Sequence, residues 1–111
     1  MKLKAISKNY EFKRGYKRGK NFVSPLVVCY VVKNRYKYLR VGITTSKKIG
    51  NAVKRNRARR LIRESFRLLN LDHTLGYDII IVARSKTTYS NMQKVKKEIE
   101  NHLKEAGIIN D

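Results

Sequence analysis

The sequence predicts an α/β sandwich, a mixed sheet with helices packed against it, and three observations carry that expectation. A basic stretch, KKIGNAVKRNRARRLIRESFR (residues 47–67), keeps a helical apolar stripe despite its charge. Two runs, LVVCYVV (residues 26–32) and DIIIVAR (residues 78–84), are rich in β-branched apolar residues, as strands buried on both faces are. A last amphipathic segment ends at Gly107, a helix-stopping residue.

The elements follow in chain order. Residues 7–17 predict a short first helix, opened by Ser7 or Asn9 as cap and closed by Gly19, with Gly15 weakening its interior. After Pro25, residues 26–32 predict a central strand. Lys33, Asn34 and Arg35 supply a turn, and residues 39–45 alternate as a second strand expected to pair with the first. The arginine helix follows, capped near Asn51. At 100° per residue, Ala58, Leu61, Ile62, Ser65 and Leu69 fall on one side of it, while Asn56, Arg59, Arg60, Arg63 and Arg67 fall roughly opposite. Residues 78–84 make another buried strand. For the last helix, Ser90 and Gln93 suggest a capping box, and Met92, Val95, Ile99, Leu103 and Ala106 form the stripe before Gly107. No linker, repeat or low-complexity segment interrupts this order. A single domain over residues 1–111 is expected, closest to a ferredoxin-like α/β sandwich.

Charge narrows the function. The chain carries 27 Lys and Arg against 8 Asp and Glu, a formal net charge of +19 on 111 residues. Such self-repulsion is tolerated where a polyanion neutralises it. Six arginines occupy the thirteen positions from Arg55 to Arg67, and Glu64 is the only acid between Lys47 and Arg67. A merely solvated helix face would mix charges, because like charges four residues apart repel. Guanidinium groups match phosphate and base edges with a planar fork of donors, so a nucleic acid is the expected partner.

Other classes are disfavoured. No window approaches the ~20 apolar residues of a membrane span, and residues 1–20 are broken by lysine or arginine too often for a secretory leader. Neither a membrane nor a small-molecule substrate is expected. Cys29 stands alone in an apolar run, which suits a buried thiol in a reducing cytoplasm. The acids Glu11, Glu64, Asp72, Asp78, Glu98, Glu100, Glu105 and Asp111 offer no close pair for catalytic metal ions, and His73 and His102 have no Cys or His at ligand spacing. His73 beside Asp72 could act as a general base, although a solvated loop histidine is the simpler reading. Gly42 and Gly50 are too isolated to cradle phosphate. No catalytic residue and no metal ligand is assigned, and if the protein serves a reaction, something else supplies the catalytic groups.

The aromatic residues allow two readings. Phe12 and Tyr16 stand four apart on the first helix, among Lys8, Lys13, Arg14 and Lys17, and Tyr30 shares a strand face with Val28 and Val32. Rings beside lysines can stack unpaired bases. They can also simply be core, which spacing alone favours. Tyr10, Tyr36, Tyr38, Tyr77 and Tyr89 carry no pattern.

The run Lys47-Lys48-Ile49-Gly50-Asn51-Ala52-Val53, then Arg55-Asn56-Arg57, then Arg59-Arg60 with Ile62-Arg63-Glu64, closely resembles the signature helix of the bacterial ribonuclease P protein subunit. Lys8-Asn9, Phe12, Tyr16 and Gly19-Lys20 resemble that family's first helix and turn. Val41-Gly42-Ile43 with Ser46-Lys47-Lys48 resembles its strand into the motif, and Asp78-Ile79-Ile80 its next strand. The resemblance covers nearly the whole chain. It implies an α-β-β-β-α-β-α fold, like the second domain of a small-subunit ribosomal protein, with a left-handed β-α-β crossover against the usual rule. It also implies a ribonucleoprotein whose RNA subunit carries the active site and removes the 5′ leader from precursor tRNA.

Carried over by position, the resemblance implies two faces. Lys47, Lys48, Asn51, Arg55, Asn56, Arg57, Arg59, Arg60, Arg63 and Arg67 would face the catalytic RNA, with Arg55 and Asn56 also near the leader. Lys8, Asn9, Phe12, Tyr16 and Tyr30 would line a central cleft for the single-stranded leader, which moves these aromatics from core to binding surface. No cofactor is expected on the protein alone, and Mg²⁺ is expected with the RNA subunit. Arg59 stands where lysine is common in the family and Gly15 where an apolar residue is usual. The acidic end GIIND offers no basic tail for RNA beyond the last helix. A ribosomal or general RNA-binding protein would share the charge and the sheet, but would not need the arginine helix beside an aromatic cleft. A DNA-binding domain could set that helix in a major groove, but no helix-turn-helix pair or dimer seam is legible. A stand-alone nuclease would need the missing carboxylate cluster.

Overall fold

The computed structural model describes residues 4–109; residues 1–3 and the acidic end at Asn110 and Asp111 lie outside the described residues. The elements are β1 (Lys4–Ala5), α1 (Asn9–Arg18), β2 (Lys20–Val23), β3 (Val27–Lys33), β4 (Arg40–Thr44), α2 (Ala52–Arg67), β5 (Tyr77–Ala83) and α3 (Met92–Glu105). Two short 3₁₀ segments, Lys47–Ile49 and Ser85–Tyr89, precede α2 and α3. The strands form one sheet in the order β1-β4-β5-β3-β2. β4 runs parallel to β1 and β5, and β3 runs antiparallel to β5 and β2.

The predicted pairing of residues 26–32 with residues 39–45 does not form. β5 lies between β3 and β4 and bonds to both. Burial explains the insertion. Ile79, Ile80 and Ile81 are all fully buried, so this strand needs neighbours on both edges and layers on both faces. β4 is less apolar and stays half-buried at several positions. β1, a two-residue strand that the sequence pattern did not suggest, covers only the first part of the outer edge of β4.

Strand alternation divides the sheet into two faces. Val27, Cys29, Val31, Ile79, Ile81 and Ala83 point into the main core beneath α2 and α3. Tyr30, Ile80 and Gly42, paired neighbours across three strands, belong to the opposite face, against which α1 packs. Gly15 is buried in mid-α1 because a Cβ there would meet the Ile80 side chain; it permits close approach rather than breaking the helix.

The arginine helix buries Ala58, Ile62, Ser65 and Phe66. Leu61, predicted on the stripe, is only half-buried, and Phe66, about 40° round from Ile62, takes the core place instead. Helix caps also shift. Lys8 is the residue before α1, and its backbone N–H donates to Glu11 at 3.4 Å, so neither Ser7 nor Asn9 caps. Asn91, not Ser90, caps α3 by accepting from the Lys94 N–H at 3.0 Å. The Ser90 N–H is already committed to Thr87 in the preceding turn, and Asn caps as well as Ser. Along α3, Val95, Ile99 and Leu103 are buried as predicted, Met92 is exposed, and His102 is buried beside them. Gly107 ends the helix at φ +81°, a conformation that favours glycine.

Candidate nucleic-acid interface

α2 starts where Gly50 turns the chain at φ +136° and the Asn51 side chain accepts from the Lys54 N–H at 3.0 Å. From that fixed start the arginines divide into two kinds. Arg55 donates to the Gly50 carbonyl at 3.3 Å, and Arg57 Nε to the Thr88 carbonyl at 2.9 Å. Arg59 donates to the Ile43 carbonyl at 3.2 Å and to Thr45 Oγ1 at 2.9 Å, which ties α2 to the outer edge of β4. These three are oriented by neutral acceptors and keep both their charge and further donors. Among the described residues, Arg60 and Arg63 engage no protein acceptor and stand exposed with Asn56. Arg67 meets Glu64 at 3.7 Å, but both side chains are well exposed, so the pair constrains it little. Lys47 and Lys48 are exposed on the 3₁₀ turn, whose Ser46 hydroxyl accepts from the Lys48 N–H at 3.3 Å.

On the other face of the sheet, Phe12, Tyr16 and Tyr30 come together. Tyr16 lies 6.5 Å from Phe12 and meets Tyr30 edge-on at 5.1 Å between centroids. Its phenol oxygen is 2.7 Å from the Thr44 hydroxyl. Gly42 lies under Phe12 so closely that a Cβ would sit 2.6 Å from the ring. Tyr16 remains partly exposed and Tyr30 half-buried, so the rings line an open surface rather than filling the core. Lys8 and Asn9 are exposed at the start of α1, and the Lys8 ammonium lies over Tyr10, 5.9 Å from its centroid.

The two predicted sets meet at Phe12. A cavity of about 640 Å³ opens at the β4 edge, with Ile6, Phe12 and Gly42 on one side and Arg59, Arg63 and Arg67 on the other. Its floor is apolar and one wall is cationic, which suits a ligand carrying both flat apolar surface and phosphate.

The placement of α1 depends on charges that sequence reading passed over. Arg40, nearly buried on β4, binds Asp78 of β5 through two hydrogen bonds and Glu11 of α1 at 2.6 Å. The Tyr36 ring covers the guanidinium at 4.6 Å. Hydrogen bonding to Asp78 raises the affinity of Arg40 for its proton above the ordinary value, outweighing the opposing burial, and Glu11 adds to the effect. A charged residue at each of two apolar strands was the available signal.

The remaining chemical groups are quiet. Asp72 accepts from the Thr74 N–H at 2.9 Å and from the Thr74 hydroxyl, which together hold its carboxyl below the usual value; it serves a turn. Burial pushes the Cys29 thiol up to about 12, with Glu98 adding to it, so it stays a neutral thiol. Among the described residues no three His, Cys, Asp or Glu side chains group to hold a metal, and no helix is long and apolar enough to cross a membrane.

A compact basic domain that pairs a helix rich in guanidinium groups, none buried in a close ion pair, with an aromatic cleft belongs to the class of RNA-binding ribonucleoprotein subunits. Comparison with known proteins specifies which. The Ribonuclease P family model matches residues 1–107. A ribonuclease P protein component of Clostridium botulinum (strain 657 / Type Ba4) is 44% identical over 111 residues, covering 99% of this chain and 100% of the relative. One from Clostridioides difficile (strain 630) is 41% identical, covering 96% and 95%. The solved Staphylococcus aureus RNase P protein superposes with a TM-score of 0.82 at 36% identity, covering 98% of this chain and all of that one. The Thermotoga maritima protein follows at 0.79 and 27% identity, covering 97% and 99%. The chain belongs to the ribonuclease P protein family and is a protein component of that endoribonuclease.

Proposed function

We propose that the α2 face binds the catalytic RNA subunit and that the cleft of Phe12, Tyr16 and Tyr30 takes the 5′ leader of precursor tRNA. The observation that carries this reading is the shared cavity, where Phe12 faces Arg59 and Arg63 across about 640 Å³. An unpaired leader leaving the tRNA stem meets the Phe12 ring for a base and guanidinium groups for its phosphates in one passage, with Tyr16 and Tyr30 following Phe12 along the cleft. Lys47, Lys48, Asn51, Arg55, Asn56, Arg57 and Arg60 extend the same cationic surface along α2 and its approach. The protein then acts by binding and orienting, so that the scissile phosphate meets an active site on the RNA, where Mg²⁺ supplies the chemistry. A cytoplasmic place accords with this role.

The test is reconstitution. Purified protein should leave precursor tRNA intact in Mg²⁺, and addition of the cognate RNA transcript should release the leader at the mature 5′ end. Cleavage by RNA-free protein, abolished by Asp72→Ala or His73→Ala, would overturn the reading.

A further inference from the structure

Tyr89 ends the 3₁₀ turn that precedes α3, and the residue is 74% exposed. Exposure of this size usually marks a loose loop tip. Here the two preceding residues are anchored: Thr87 is 0% and Thr88 4% exposed. The Thr87 hydroxyl donates to the Leu26 carbonyl and accepts from the Arg84 N–H at 2.9 Å. Arg57 Nε of α2 donates to the Thr88 carbonyl at 2.9 Å, and the Thr88 hydroxyl donates to the Lys54 carbonyl at 3.4 Å. The backbone beneath the ring is thus fastened to the sheet and to the arginine helix. The Lys54 ammonium lies 5.7 Å from the ring centroid, and Val53 beside it is 75% exposed. The same turn packs on the one that carries Lys47 and Lys48. No acid occurs in residues 47–63 or 79–97, the two segments that carry the ring and its cationic neighbours.

We propose that Tyr89 is a stacking platform for an unstacked nucleobase of the catalytic RNA subunit, with Lys54 and Arg57 receiving the flanking phosphates; this rests on the assignment of the α2 face to that RNA. A rigidly mounted ring beside cations offers a flat π-face and charge for the adjoining backbone, the two features that an extruded nucleotide presents. Its place, flanking the N-terminal half of α2, makes it a lateral extension of the arginine face.

The test is equilibrium binding of the full chain to its cognate RNA transcript over a salt series, with precursor tRNA binding by the reconstituted holoenzyme and protein melting measured alongside. Y89A should weaken RNA-subunit binding by roughly 5- to 150-fold, the range of one base stack removed, with an unchanged salt slope and an unchanged melting temperature. Y89F and Y89W should bind like the wild type. Wild-type affinity in Y89A while R60A binds more weakly would overturn the platform and leave the face standing; wild-type behaviour in both would overturn the face itself. Weakening in Y89F equal to that in Y89A would mean a hydroxyl hydrogen bond instead of stacking. A loss confined to precursor tRNA, or a lowered melting temperature with every RNA bound more weakly, would likewise overturn the proposal.

Discussion

Arg40 grips Asp78 with two parallel hydrogen bonds, Nε to Oδ1 at 2.8 Å and Nη2 to Oδ2 at 2.7 Å, at the rung where β4 and β5 pair. Its remaining Nη1 reaches Glu11 on α1 at 2.6 Å, so one guanidinium fixes both the strand register and the helix above it. Arg40→Met would leave Asp78, 1% exposed, without its cation. Unfolding in urea should show a loss of about 3–5 kcal/mol, with most of it recovered when Asp78→Asn and Glu11→Gln are added. A single variant within about 1 kcal/mol of the wild type would show that the pair does not hold α1 in place.

The arginines of α2 should separate by how they are held. Arg60→Ala and Arg63→Ala remove side chains with no protein acceptor among the described residues, so folding should be untouched. Binding to the catalytic RNA should weaken, and the salt slope should fall by on the order of 0.7–0.9 for each phosphate left unneutralised. Arg59→Ala should weaken binding too, but with a lower melting temperature, because its bonds to Ile43 and Thr45 tie α2 to β4. Unchanged affinity and slope in both Arg60 and Arg63 variants would show a face that is only solvated.

Phe12 and Gly42 should behave as a pair. Phe12→Ala should weaken precursor tRNA binding by roughly 1–3 kcal/mol for each base that no longer stacks, and leave mature tRNA and the RNA subunit nearly unaffected. Gly42→Ala should do the same without removing a ring, since its Cβ would stand 2.6 Å from Phe12 Cε1 and force the ring aside. A core aromatic behaves otherwise, costing about 3–5 kcal/mol of stability on truncation and weakening every partner together. Equal losses for precursor and mature tRNA with a lowered melting temperature would return Phe12 to the core.

His102 should make folding sensitive to mild acid. It is buried against Phe22, neither ring nitrogen has a hydrogen-bond partner among the described residues, and burial pushes its pKa below the ordinary 6.5 while Glu105 and Glu98 pull the other way. The native state therefore favours neutral imidazole, and the unfolded chain takes up the proton first as pH falls through about 6.5. Stability contributed by the neutral form is full above that pH and declines below it. Urea midpoints at pH values of about 7.5 and 5.5, on either side of the ordinary imidazole value, should differ more in the wild type than in His102→Leu. An equal difference in both would assign the acid sensitivity to other groups.

Much of the site was legible because it is local. The arginine helix, its cap at Asn51 and its exposed Arg60 and Arg63 follow from spacing of about 3.6 residues per turn, which needs no partner to be read. Strand pairing was not legible: residues 26–32 and 39–45 look like a hairpin in sequence, yet β5 arrives from much further along the chain and separates them. Spacing favoured a core place for Phe12, Tyr16 and Tyr30, and the family resemblance drew them to a cleft instead. The open surface that they line follows from which sheet face α1 covers.

The sequence by itself determined the helices, three of the strands and the charge, since periodicity, turn chemistry and composition act over a few residues at a time. The arginine and aromatic groups proposed to bind RNA were drawn from the family resemblance. Only the tertiary structure decided that those groups meet at one cavity, that Arg40 joins Glu11 to Asp78, and that Tyr89 stands on a fixed turn beside Lys54. Each of these joins residues from separate elements of the chain. Such neighbourhoods form because burying the isoleucines of β5 on both faces sets the strand order, and the strand order then dictates which distant side chains come together.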